Sequence, residues 1–310
     1  MSKTVPAFVD LQVNGHAGVD LLSAQSTDEI RQVGRSLWSH GVGAYLPTLI
    51  TGPLDRTVEV MKLIEKVRRS PRNDEAEIIG IHLEGPFLSH QKPGVHPMNY
   101  LAEPSQELLG KYLSAATVTM VTLAPEIPGA LEAIKFLTQG GVIVSLGHSN
   151  ATREQADAGF DAGAQAVTHI WNAMNKDIES GLGASALERP EIAIQMIIDG
   201  VHLSDELVKY TIEKAPDRFI VTNDAVAPAG LGEGKFAFGT FEVSVRDGRA
   251  TRSDGVLAGG VGCLKDSLAR MLDLGVDFDI ALASVTTRPA ALIGRPELGV
   301  LSLGSRTTQV

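Results

Sequence analysis

The sequence predicts a single (β/α)8 TIM barrel, and three observations predict it. Short β-branched runs alternate with amphipathic stretches over the whole length, the mark of repeated βα units around a parallel sheet. These runs number eight. Polar and ionisable residues stand just past their C-terminal ends, where a barrel of this kind gathers its reactive groups. With 310 residues, 44% of them hydrophobic and 21% charged, the chain can bury one large core, and such a barrel takes about 250 residues.

Taken in order, the predicted strands are Ala7–Val13, Ala44–Ile50, Glu77–Leu83, Thr117–Leu123, Val142–Leu146, Ala166–Ile170, Ile192–Ile198 and Phe219–Asn223. Ser26 with Glu29 three residues on has capping-box spacing, which predicts a helix from about residue 27 to Ser39 covering the first strand. Val60, Leu63, Ile64 and Val67 fall at i, i+3, i+4 and i+7, one helical face of core packing. From about residue 230 to 255, FAFGTFEVSVRDGRA alternates and carries Asp247-Gly248 turn chemistry, so a hairpin-like excursion is expected over the barrel mouth. No solenoid-length repeat or low-complexity linker divides the chain. Residues 1–310 read as one domain.

The formal charge of −10 and a pI near 5.3 leave no broad basic surface for nucleic acid or anionic lipid. An anionic substrate must be held by local cations. Cys263 is the only cysteine, which excludes an intrachain disulfide and reads as a small buried apolar residue. MSKTVPAFVDLQV lacks the pattern of a signal peptide, and no apolar run reaches about 18 residues. A soluble cytoplasmic protein, with no nucleic-acid or membrane partner, is expected.

The rim residues are Gln12 and Asn14, Glu84, His148, His169, Asp199 and His202, then Asp224. Glu84, His148 and His169 offer one carboxylate oxygen and two imidazole nitrogens, a set that suits a zinc-like ion with a fourth position open for water. Asp224, past the last strand, is placed to take a proton from that water. Taken singly, each histidine reads as a core or surface group and Glu84-Gly85-Pro86 as an ordinary turn. Their shared phase at strand ends is what favours a site.

The segments DLQVNG, LPTLIT, GIHLEGPF, VTLAPE, GHSNAT, THIWNAM, DGVH, NDAVAPAG and GVLAG resemble those of the N-acetylglucosamine-6-phosphate deacetylases of the amidohydrolase superfamily. The likeness runs from about Pro6 to Leu303. Many amidohydrolases carry His-x-His at the end of the first strand. Here Gln12-Val13-Asn14 stands there, as in a subgroup that binds one metal ion, so the resemblance implies one divalent ion held by Glu84, His148 and His169. Zinc is favoured on geometry and abundance, with Fe²⁺, Mn²⁺ and Co²⁺ open. The same resemblance implies that Asp224 acts as base and then acid, and that His96 hydrogen-bonds the acetyl carbonyl. It also implies sugar contacts from Val95, Asn172, Ala173, His202 and the backbone of Leu257, Ala258 and Gly259, where side-chain identity should matter little. Read without the resemblance, His96 before Pro97 is a loop histidine and the stretch from Gly255 to Gly262 a flexible turn. Lys92 and Lys176 read as solvated surface charges and are left out of the site.

Two departures bear on substrate and assembly. Family members carry an Arg-Glu-Pro-Gly segment shortly after THxxNAM whose arginine holds the sugar phosphate, and this chain has NKDIESGLGA instead. Losing that fork removes charge-assisted bonds worth about 1.5–3 kcal/mol each. Either Lys176 substitutes as a point charge or the substrate is unphosphorylated. Relatives also flank the barrel with strands forming a small β-sandwich. This sequence reads as starting at strand one and stopping at Leu-Ser-Leu-Gly-Ser, which implies that the accessory domain is absent and favours a homodimer. The leading reading is hydrolysis of N-acetylglucosamine 6-phosphate to glucosamine 6-phosphate and acetate. The alternatives are the same chemistry on N-acetylgalactosamine 6-phosphate, an unphosphorylated amino sugar or an N-acyl amino acid, and a non-catalytic sugar-phosphate binder.

Overall fold

The computed structural model describes residues 3–302 and 304–310. All eight predicted strands are present: β1 Phe8–Val13, β2 Val42–Ile50, β3 Ile81–Glu84, β4 Val118–Leu123, β5 Ile143–Leu146, β6 Ala166–Val167, β7 Ala193–Met196 and β8 Phe219–Val221. They hydrogen-bond in parallel in that order. Past β8, the Asn14 amide donates to the Ala225 carbonyl at 2.7 Å and the Ala225 amide to the Gln12 carbonyl at 3.3 Å, which brings β1 against the last strand and closes the ring.

The local signals read from sequence produce the expected elements. Helix α1, Thr27–Ser39, opens with Ser26 accepting from the Glu29 amide and Glu29 reaching back to the Ser26 amide. In α2, Leu54–Arg68, Val60, Ile64 and Val67 are buried, with Leu63 packed against their edge. Further helices, among them α3 (Gln106–Ala115), α4 (Ala130–Gln139), α5 (Arg153–Asp161), α6 (Gly181–Glu188) and α7 (Asp205–Lys214), alternate with the strands to form the outer layer.

The structure departs from expectation in three places. The predicted third strand is two pieces, with Glu77–Ile78 pairing only with β2 before the chain re-enters as β3. The excursion is a four-stranded antiparallel sheet, β9 Gly234–Phe238, β10 Phe241–Arg246, β11 Arg249–Thr251 and β12 Leu257–Gly259, not one hairpin. Its β10–β11 turn is Asp247-Gly248, with φ of 49° and 70°, as the dipeptide predicts. Thirdly, the chain does not begin its structure at the first barrel strand. Thr4–Pro6 pairs antiparallel with Thr307–Gln309, making a two-stranded sheet beyond the Leu-Ser-Leu-Gly-Ser segment.

Strand alternation puts a buried polar layer inside the barrel below the rim. His82 Nε2 lies 2.7 Å from Thr122 Oγ1, which is 2.7 Å from Thr168 Oγ1, and Thr168 donates to Ser145 Oγ at 2.6 Å. Asp10, in β1, accepts from the Gln12 amide of its own strand and, across the closing seam, from the Thr222 hydroxyl and the Asn223 amide just past β8. Burial outweighs these bonds and raises its pKa to about 6, against an ordinary value of 3.8. The unfolded chain therefore releases this proton at a lower pH than the folded one, and stability falls as pH rises from about 4 to about 6. Asp10→Asn, which keeps an acceptor and cannot ionise, should flatten that fall and gain on the order of 2–3 kcal/mol over wild type above pH 6. Urea melts of both proteins at pH 4 and pH 7 check it. A difference independent of pH would remove the ionisation argument.

Candidate active site

The rim gathers its residues at the ends of different strands and aims them at one cavity of about 290 Å³. Glu84 ends β3. His148 and His169 lie just past β5 and β6 with φ of 47° and 30°, and Asp224 past β8 has φ of 49°. A left-handed backbone costs a non-glycine residue of order 1 kcal/mol and is held only where the surroundings over-determine it. That turn is what ends β6 after two residues, short of the expected Ile170, and swings His169 inward.

Three donor atoms converge there. Glu84 Oε1 lies 3.2 Å from His148 Nε2 and 2.9 Å from His169 Nε2, and the two nitrogens are 3.1 Å apart. A tetrahedral ion with bonds of about 2.0–2.1 Å spaces its ligand atoms roughly 3.3 Å apart, so the triangle fits one such ion with little adjustment. All three residues are buried. His148 Nδ1 donates to the Lys92 carbonyl at 3.1 Å, which turns the Nε2 lone pair toward the triangle. Burial, then the His96 ring, pushes the His148 pKa down, so its imidazole is neutral. Burial works against the charge on Glu84, but the imidazoles of His148, His169 and His96 beside it outweigh burial and hold its carboxyl well below the usual range.

The supporting contacts fix what each group presents. Gln12 Nε2 donates to Glu84 Oε1 at 2.9 Å, so Gln12 holds the carboxylate without lining the cavity. Asn14 Nδ2 donates to Asp224 Oδ1 at 2.7 Å. Burial, and then the Glu84 charge, raises the Asp224 pKa well above the ordinary value. His96 Nδ1 accepts from the Thr51 amide at 3.2 Å, so the ring carries its proton on Nε2, which faces the triangle 3.7 Å from Glu84 Oε2. His202 Nδ1 lies 2.7 Å from Asp199 Oδ2. Burial opposes the Asp199 charge, but His202 and nearby amides overcome it and bring its pKa to about 2.

Gln12 and Asp199 apart, the residues read from the sequence as part of the site line this cavity: Asn14, Glu84, Val95, His96, His148, His169, Asn172, Ala173, His202, Asp224 and Leu257–Gly259. Three readings need correction. Lys176 is exposed, as a surface charge should be, but it was left out of the site and it lines the cavity too, on the loop that passes through left-handed Trp171 and Ala173. Gly259 is not indifferent to side-chain identity. Its φ is 137° and a Cβ there would stand 2.4 Å from the Asp224 carbonyl oxygen, a distance only glycine allows. Cys263 is half-buried at the start of a helix instead of in the core. Its thiol lies 3.1 Å from Asp266 Oδ2, and burial followed by that carboxylate raises its pKa to about 11. Sequence reasoning also missed Thr51, Asp199 as the partner of His202, and Phe238, whose ring closes the cavity from the excursion sheet.

Comparison with known proteins places this geometry. The chain is 33% identical over 317 residues to an N-acetylglucosamine-6-phosphate deacetylase of Bos taurus, covering 97% of this chain and 77% of that one. It is 32% identical over 311 residues to an N-acetylgalactosamine-6-phosphate deacetylase of Escherichia coli O157:H7, covering 98% and 82%. The crystal structure of the Pasteurella multocida N-acetylglucosamine-6-phosphate deacetylase superposes with a TM-score of 0.93 at 30% identity, covering 99% of this chain and 82% of that one. The sequence model described as the amidohydrolase family matches residues 4–306. With its barrel, its strand-end Glu-His-His triangle and this match over nearly its whole length, the chain belongs to the amidohydrolase family.

Proposed function

We propose that this protein hydrolyses the acetamide of N-acetylglucosamine 6-phosphate, releasing acetate and glucosamine 6-phosphate. The observation that carries the reading is the convergence of the Glu84, His148 and His169 donor atoms with Asp224 and His96 in one cavity. A metal ion held by the triangle would supply positive charge that acidifies water and polarises the amide carbonyl.

The chain's own residues account for the rest. Asp224 accepts a proton from the attacking water and returns it to the departing amine, the two transfers that a carboxylate placed in this cavity can make. The Asn14 amide keeps the Asp224 carboxyl aimed. His96 donates from Nε2 to the carbonyl oxygen as negative charge develops there, a bond that strengthens toward the transition state. Val95, Asn172, Ala173, His202 and the β12 backbone offer polar contacts for the sugar. Burial of Phe238 and Ala258 walls off water on that side. One carboxylate and two imidazoles favour an ion of the zinc type. Assembly as a homodimer and residence in the cytoplasm belong to the same reading, and the single cysteine fits a reducing compartment.

The near-equal likeness to a galactosamine-type deacetylase favours one second reading, the C4 epimer as substrate. Purified protein loaded with Zn²⁺ or Fe²⁺ should release acetate from N-acetylglucosamine 6-phosphate faster than from N-acetylgalactosamine 6-phosphate or from unphosphorylated N-acetylglucosamine. The reverse order for the epimers moves the assignment to the second reading, and acetate from none of them with any ion ends both.

A further inference from the structure

We propose that Lys176 reads the anionic end of the substrate, as an ammonium point charge in a pocket that has no guanidinium fork. The inference rests on the deacetylase reading above and names the residue that would set its preference for a phosphorylated sugar. Among the side chains lining the cavity, Lys176 is the only lysine or arginine. The protein carries a net charge of −10, so an anion has no general attraction to this surface and needs a local cation.

The local structure leaves that cation available. Its sequence neighbour Asp177 is occupied by its own turn, accepting from the Glu179 amide at 2.9 Å and from the Ser180 hydroxyl at 2.9 Å. Asn175 Oδ1 braces the other side by accepting from the Asp177 amide at 3.1 Å. Among the described residues the lysines in ion pairs are Lys111 and Lys235, and Lys176 has no carboxylate partner. Arg252 reaches the Val95 carbonyl at the cavity edge, but Asp254 holds its guanidinium through two bonds, so it is already neutralised. The loop that carries Lys176 also carries His169 and, between them, Asn172 and Ala173. One continuous stretch thus presents a metal ligand, two sugar-contact candidates and a free ammonium to the same cavity. That order fits a substrate with a hydrolysable amide and a separate anionic group.

An exposed ammonium is hydrated and screened, so its contribution belongs at the low end for a charge-assisted bond. Binding should be measured by calorimetry on metal-loaded Asp224→Asn protein, which does not consume the ligand, with N-acetylglucosamine 6-phosphate and N-acetylglucosamine as probes. The ratio of the two affinities should fall about tenfold on adding Lys176→Met and return to within about threefold with Lys176→Arg. It should also fall as salt rises from 50 to 500 mM, roughly in step with Debye screening. A ratio unchanged by Lys176→Met overturns the proposal, as does an equal loss for both sugars. If the wild type releases no acetate but the affinity ratio still depends on Lys176, the deacetylase reading fails and the anion site stands.

Discussion

Asp224→Asn should lower acetate release by about 10³- to 10⁴-fold while leaving the bound metal in place, since a positioned general acid-base contributes about 10²–10⁴ and this carboxyl is asked to act in both directions. Asparagine has nearly the same shape. Its Oδ1 can keep the bond that Asn14 Nδ2 now gives at 2.7 Å, and the Asp224 carbonyl still accepts from the Gly260 amide at 2.9 Å. The left-handed backbone at this position also tolerates asparagine well. What is lost is the capacity to take up and return a proton. Single-turnover acetate release and metal content by mass spectrometry, on the same preparation, separate the possibilities. Loss of metal together with activity would make Asp224 a ligand instead of a base, and turnover within tenfold of wild type would remove it from the chemistry.

How far the site was legible depended on which force placed each group. Glu84, His148, His169 and Asp224 could be read because strand period and barrel architecture fix where a strand end points, and both are local properties of the sequence. Ser26 with Glu29 and Asp247-Gly248 were legible for the same reason, since each is a hydrogen-bond or φ requirement met within four residues. Lys176 was not, because its place depends on three left-handed residues in the loop before it, His169, Trp171 and Ala173, none of them a glycine that would announce the turn. Thr51 meets His96 Nδ1 through its backbone amide at 3.2 Å and its hydroxyl at 2.9 Å, and a lone threonine 45 residues away has no pattern that names this partner. The Lys92 carbonyl behind His148 is a backbone group that any residue supplies. Gly259 was read as one backbone contact among three, and only the approach of the Asp224 carbonyl distinguishes it. Pairing of Thr4–Pro6 with Thr307–Gln309 joins two short segments from opposite ends of the chain, and neither has a pattern that names the other.

Glu84→Gln should abolish stoichiometric metal binding and bring turnover down at least as far as Asp224→Asn does. Glu84 is the single anionic member of the triangle, and its Oε1 alone meets His148 Nε2, His169 Nε2 and Gln12 Nε2, at 3.2, 2.9 and 2.9 Å. Glutamine fills the space but removes the charge. It must also turn either its amide nitrogen toward the two imidazole lone pairs, where a cation cannot then sit, or its oxygen there as a neutral and weaker donor. Because changing groups that merely hold a ligand already costs about 10–100-fold in metal affinity, loss of the charged ligand itself should cost more. The same substitution gives a reading independent of turnover. An ion present at about 1,000 times its Kd stabilises the folded state by about 4 kcal/mol, which in a chain of this size is of order 10 °C in melting temperature. Wild type should lose that increment on chelation and regain it with Zn²⁺, whereas Glu84→Gln should melt at one temperature with or without either. The stabilisation by zinc belongs to this triangle only if it disappears with the Glu84 charge, so a Glu84→Gln protein that still gains stability from Zn²⁺ would place the ion elsewhere in the barrel.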